Sequence, residues 1–123
     1  MTVQGEVNAL LSADPTFSGI VPPEKIYSVD SPLVTEGFAP YALITCISNP
    51  KTKFASNRSF EEQNNVQIQV WLPLDSEQVD TVMQVVDTVM EDHRFYRYHE
   101  MDGKDPTIDL YMITMQYRRN RIY

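Results

Sequence analysis

A chain of 123 residues, 42% hydrophobic and 22% charged, has the length of one domain and the composition of a folded one. Its formal charge of −7 is a poor balance for a protein that grips nucleic acid across its surface. One cysteine excludes a disulfide framework within the chain and fits a reducing compartment, and no apolar run approaches the roughly 20 residues that span a bilayer.

Val3, Val7, Leu10 and Leu11 recur at helical spacing and predict an opening helix. "SADP" ends it, because Pro15 pushes Asp14 out of the α region. An irregular stretch with Pro15, Pro22 and Pro23 leads to "KIYSVD", a short strand, and "SPLVTEGFAP", a loop. "YALITCIS" is apolar on both faces, as a central strand is. A polar arm follows at about residues 49–63. "NVQIQVWL" then alternates strictly, with Val66, Ile68, Val70 and Leu72 on one face and Gln67, Gln69 and Trp71 on the other.

The best helix is "LDSEQVDTVMQVVDTVMEDH". Asp75 and Gln78 fit a capping box, and Val79, Val82, Met83, Val86, Val89 and Met90 form its apolar face. Glu77, Asp80, Gln84, Asp87 and Glu91 form a polar stripe. "RFYRYHEM" reads as a strand, "DGKDP" as a hairpin turn and "TIDLYMITMQYRRN" as a long last strand. The order α-β-β-long loop-β-α-β-β predicts an α+β domain over residues 1–123, with a single antiparallel or mixed sheet covered on one face by two helices. The N-terminus has no basic and apolar leader pattern, so no signal peptide is expected.

Catalytic chemistry finds no foothold in this pattern. Cys46 sits in apolar company without a base. His93 and His99 lack the spacing of a helical zinc pair. Asp102, Asp105 and Asp109 lack the closing glutamate of a calcium loop. The glycines are scattered. The expectation is a protein that is not an enzyme and carries no cofactor or metal. "RFYRYH" raises single-strand nucleic-acid binding, since stacking rings beside arginines are its recipe. The six acids of residues 75–92 argue against it.

Charge is distributed unevenly. Bases gather in the arm (Lys51, Lys53, Arg58), at Arg94 and Arg97, and at Arg118, Arg119 and Arg121. Such asymmetry suits pairing between copies or with a partner. Three candidate surfaces follow: the arm, with Phe54 and Phe60 among its bases; the acidic stripe of Asp80, Asp87 and Glu91; and the basic C-terminus.

"VNALLSADP", "YALITCIS", the charged loop "NPKTKFASNRSFEEQ", "NVQIQVWL", "SEQVDTVMQVVDTVMEDHRF" and "DLYMITMQYRR" together resemble the tail-completion and tail-terminator proteins of long-tailed bacteriophages. The likeness spans nearly the whole chain as an order of elements. It implies a non-enzymatic ring, usually of six copies, that closes the head-proximal end of the tail tube. Partners would be further copies, the major tail tube protein and head-tail connector proteins, with DNA only passing through and no membrane. The place would be the virion, reached from the host cytoplasm. The long loop would dock on a neighbour or a stacked ring. The stripe would line the lumen or meet a neighbour, and the basic C-terminus would contact another subunit. Other head-tail connector or adaptor proteins share much of this plan, and a nucleic-acid-binding module is the third reading.

Overall fold

A computed structural model describes residues 2–28, 36–55 and 58–122, with the side chains of 36, 52–55, 58–60 and 122 outside the description. The elements are α1 (Val3–Ala13), α2 (Pro15–Ile20), β1 (Ile26–Tyr27), β2 (Tyr41–Ser48), β3 (Lys51–Ala55), β4 (Arg58–Leu72), α3 (Val79–Asp92), β5 (Tyr96–Lys104) and β6 (Tyr111–Ile122). Single 3₁₀ turns occupy Pro23–Lys25 and Glu36–Phe38. The fold is α+β, as the pattern predicts: one mixed sheet in the order β1-β2-β4-β6-β5, with β3 also paired to β4. Only β1 and β2 run parallel. Part of the expected "SPLVTEGFAP" loop, residues 31–35, and the last two residues of "KIYSVD" lie outside the described residues.

The alternation read in β4 sets the layers. Residues facing one another across a ladder share a face, so the rows Ile44–Ile68–Met115 and Ala42–Val70–Ile113 point to one side of the sheet. All six are completely buried. Val7 and Leu11 of α1, Phe17 of α2, and Val82, Val86 and Met90 of α3 close over them. A smaller cluster occupies the other face at one end. There Tyr41 stacks on Trp71 at 4.6 Å and 4°, over Leu110.

Three local readings change. Pro15–Ile20 is helical rather than irregular, because extended Asp14 is an N-cap: its carboxylate accepts from the Thr16 and Phe17 N–H groups. α3 begins at Val79, and Asp75 lies in the preceding turn; Ser76 Oγ takes the Gln78 N–H instead. Asp102 and Gly103 belong to β5, and the turn to β6 is the wider loop of residues 105–110. Asp105 organises that loop. Its N–H donates to the Leu110 carbonyl, while Oδ1 accepts from the Thr107 N–H and hydroxyl, both at 2.8 Å. Asx chemistry of this kind competes with a tight two-residue turn.

Candidate functional site

The arm is sheet rather than loop. Beyond Asn49 and Pro50 the chain resumes as β3, antiparallel to the first half of β4, with Lys51 opposite Glu62 and Ala55 opposite Arg58. β4 therefore runs through the arm into the core as one strand of 15 residues. β6 flanks its other side as far as Ile122, opposite Glu61. Among the arm's predicted contact residues, Lys51 is exposed. Lys53, Phe54, Arg58 and Phe60 have their backbones in the hairpin, and their side chains lie outside the described residues.

Two buried asparagines hold the arm's root. Asn64 donates to Asn49 Oδ1 at 3.1 Å and Glu62 Oε1 at 2.7 Å, and accepts from Arg119 Nε at 3.2 Å and Nη2 at 3.0 Å. Asn65 donates to Ser48 Oγ at 3.1 Å and accepts from Arg118 Nε at 2.9 Å. Buried amides paired so fully fix register at little cost. Consecutive positions on a strand face opposite ways, so Arg119 serves the helix side and Arg118 the open side.

The basic C-terminus is thus largely committed within the chain. Arg119 Nη1 and Nη2 grip Glu6 of α1 at 2.5 and 3.3 Å, and its guanidinium lies 4.3 Å from the Phe95 ring centre. Arg118 covers the Tyr98 ring at 4.6 Å. Arg121 is exposed, in register with Glu62. The sequence signal for this knot is "NN" opposite "RR" in the two long strands, legible only once their register is known.

The acidic stripe divides in the same way. Asp80 and Glu91 are exposed. Asp87 accepts from the Tyr117 hydroxyl and pairs with Arg97 Nη1 at 3.0 Å. Tyr117 is completely buried. Burial first, and the Asp87 hydrogen bond second, push its hydroxyl well above the usual tyrosine range. Asp87 is therefore the bridge that fastens α3 to β5 and β6.

α3 ends in a Schellman motif. The Phe95 N–H reaches the Met90 carbonyl at 2.9 Å and the Arg94 N–H reaches the Glu91 carbonyl at 3.0 Å, with Phe95 and Met90 buried together. Arg94 occupies the left-handed position, φ 66°, which glycine usually fills. Its placement opens a groove of about 420 Å³ lined by Arg94, Tyr96, Arg97, Tyr98, Arg118 and Asn120. A second hollow of about 350 Å³ shares Arg94 and Asn120 and adds Glu6, His93, Arg119 and Arg121. Bases far apart in sequence thus meet at the arm's root. Of the aromatics in "RFYRYH", Phe95 is buried under α3, whereas Tyr96 and Tyr98 are exposed.

Asp102, Asp105 and Asp109 do not converge. Asp102 receives the Tyr111 hydroxyl, Asp105 Oδ2 receives Trp71 Nε1 at 2.8 Å, and Asp109 meets Lys104 Nζ at 3.1 Å. Among the described residues no group of three or more His, Cys, Asp or Glu is placed to hold a metal ion, and no helix is long and apolar enough to cross a membrane.

Fold and geometry together define a small domain with helices on one sheet face, a projecting hairpin and grooves rich in arginine at the hairpin's root. No family model matches the chain, and no curated protein matches it. Solved structures share the fold. One is a chain of the virion of a native gene transfer agent particle, 12% identical, with a TM-score of 0.59 over 96% of this chain and 92% of that one. Another solved chain, 11% identical, aligns over 100% of this chain and 97% of its own, also with a TM-score of 0.59.

Proposed function

We propose that the chain is a structural protein of a phage-type virion: a tail-terminator or tail-completion protein that assembles as a ring, expected to hold six copies, at the head-proximal end of the tail tube. The observation that carries this reading is the end-to-end agreement in fold with a virion chain, with neither partner leaving a domain unaccounted for. The resemblance in element order and wording points the same way. In this role the protein has no catalytic step. It binds its own copies and the major tail tube protein, faces head-tail connector proteins, and lets DNA pass. Its place is the virion, after assembly in the host cytoplasm.

The hairpin gives this role a docking element. It projects from a root that is already hydrogen-bonded, so engaging a neighbour does not require ordering a long loop. Deleting residues 52–59 removes the distal strand pairs and leaves every described residue of the buried core in place. The expected result is an unchanged melting temperature with failed tail completion, seen by electron microscopy as unjoined heads and tails. Infectious particles of normal morphology from this variant would overturn the reading.

A further inference from the structure

We infer that β5 is a docking strand that takes the β2–β3 edge of a second copy of this chain, extending the sheet from one copy into the next. The inference deepens the ring reading above and rests on its premise that copies associate.

The first observation is that β5 buries none of its nine residues. Among the described residues it pairs only with β6, at the end of the sheet, so its outer edge is open, and α3 meets it through the Asp87–Arg97 pair. Three of the large exposed hydrophobics of the described chain lie on it: Tyr96 at 60%, Tyr98 at 45% and Met101 at 57% exposure. An edge of this length, rich in apolar side chains, is a template for another strand. The bulge at Tyr98 disturbs only its start; from His99 to Lys104 the register with β6 is regular.

The second observation is a matching edge on the opposite side of the same sheet. Glu61 and Glu62 pair with Thr52 and Lys51 of β3 on one side and with Ile122 and Arg121 of β6 on the other. β3 therefore continues the lane of β2. β1 covers β2 only at Ala42 and Leu43, so the edge beyond them is free through β3 among the described residues. It carries exposed Ile47, at 46%, and exposed Lys51. Beside β5 lies a mostly apolar hollow of about 370 Å³ bounded by Met101, Asp102, Gly103, Lys104, Pro106 and Met112. An apolar side chain and a lysine on one edge thus face a mostly apolar hollow with the Asp102 carboxylate in its lining on the other. Two different edges on opposite sides make a heterologous contact, which closes as a ring or continues as a filament.

The test is disulfide trapping between copies. In a Cys46→Ser background, the full chain carrying Ile47→Cys and Met101→Cys is oxidised at high protein concentration. A control pair joins Met101→Cys to Ala9→Cys, on the exposed surface of α1. The seam predicts a ladder of linked copies that forms at least tenfold faster than in the control. It also predicts that Tyr98→Lys with Met101→Lys abolishes association without lowering the melting temperature. Equal rates, no ladder, or normal association of the lysine variant would overturn it. Rings seen by electron microscopy without the ladder would sink the seam and spare the ring reading. A ladder from a chain that tails do not need would do the reverse.

Discussion

Trp71 and Asp105 show how a single pair can tie distant segments together. The indole N–H of β4 is buried and has one acceptor, the Asp105 carboxylate, 34 residues away. Burial works against that charge. The hydrogen bonds from Thr107, Trp71 and the Ile108 N–H outweigh it and hold the carboxyl below its ordinary value of 3.8. A depressed folded value stabilises the native state at neutral pH, and that contribution is lost as pH falls below 3.8 through the folded value. Asp105→Ala leaves the indole unpaired and is expected to cost about 1–3 kcal/mol in urea unfolding at pH 7. Asp105→Asn is expected to cost less at pH 7 and to flatten the acid limb of stability. Trp71 is the only tryptophan, so its fluorescence reports the transition directly. An acid limb unchanged in the asparagine variant would remove Asp105 from the account.

At the scale of elements, α3 carries two kinds of acid that its sequence presents as one. Of the stripe its wheel predicts, Glu77 lies before the helix, and Asp87 is the residue that locks the helix to the sheet through Tyr117 and Arg97. Asp80 and Glu91 are exposed, and Glu91 with Asp92 lies at the helix C-terminus, where the macrodipole disfavours anions. Asp87→Asn is expected to lower stability by about 1–3 kcal/mol, as a charged hydrogen bond to a buried hydroxyl weakens. Asp80→Asn with Glu91→Gln is expected to stay within about 0.5 kcal/mol of the parent or to gain slightly. Chemical unfolding of the two variants separates the roles, and equal losses would contradict the division. The same contrast explains what the sequence could tell. Strict alternation in β4 and helical spacing in α3 report burial, so the layers and most of the core were legible. Asn64, Asn65, Arg118 and Arg119 report pairing across more than 50 residues, which only strand register reveals. The arm hides for a related reason: its residues carry no apolar period and so read as loop, whatever strand pairs they make.

Over the whole molecule, strand register sorts charge along the sheet. Eight of the ten lysines and arginines have their backbones at the arm end or its root: Lys51, Lys53, Arg58, Arg94, Arg97, Arg118, Arg119 and Arg121. Only Lys25 and Lys104 lie elsewhere. Glu61 and Glu62 lie in the arm, and Glu6, Asp87, Glu91 and Asp92 lie near its root, whereas Asp75, Glu77, Asp80, Asp102, Asp105 and Asp109 lie toward the other end, with Lys104 for company, at the start of α3 and around the β5–β6 loop. A chain of charge −7 is thus electrically polar, and a surface meeting the arm end is steered by that field. Arg119 and Arg97 are already neutralised by Glu6 and Asp87, which leaves the arm's bases and the exposed Arg94, Arg118 and Arg121 to supply the steering. Exposed charges farther apart than about 10 Å are screened at 0.1 M salt. If the tail-terminator role proposed above holds, binding of the purified protein to isolated tail tubes is expected to weaken on the order of tenfold between low and moderate salt, by the same screening. Lys51→Gln, Lys53→Gln and Arg58→Gln together should weaken binding at low salt and flatten the salt dependence, with the melting temperature unchanged. Sedimentation of tube-bound protein across a salt series measures both. A parental salt dependence surviving in the triple variant would place the attraction at the arginines of the root rather than in the arm.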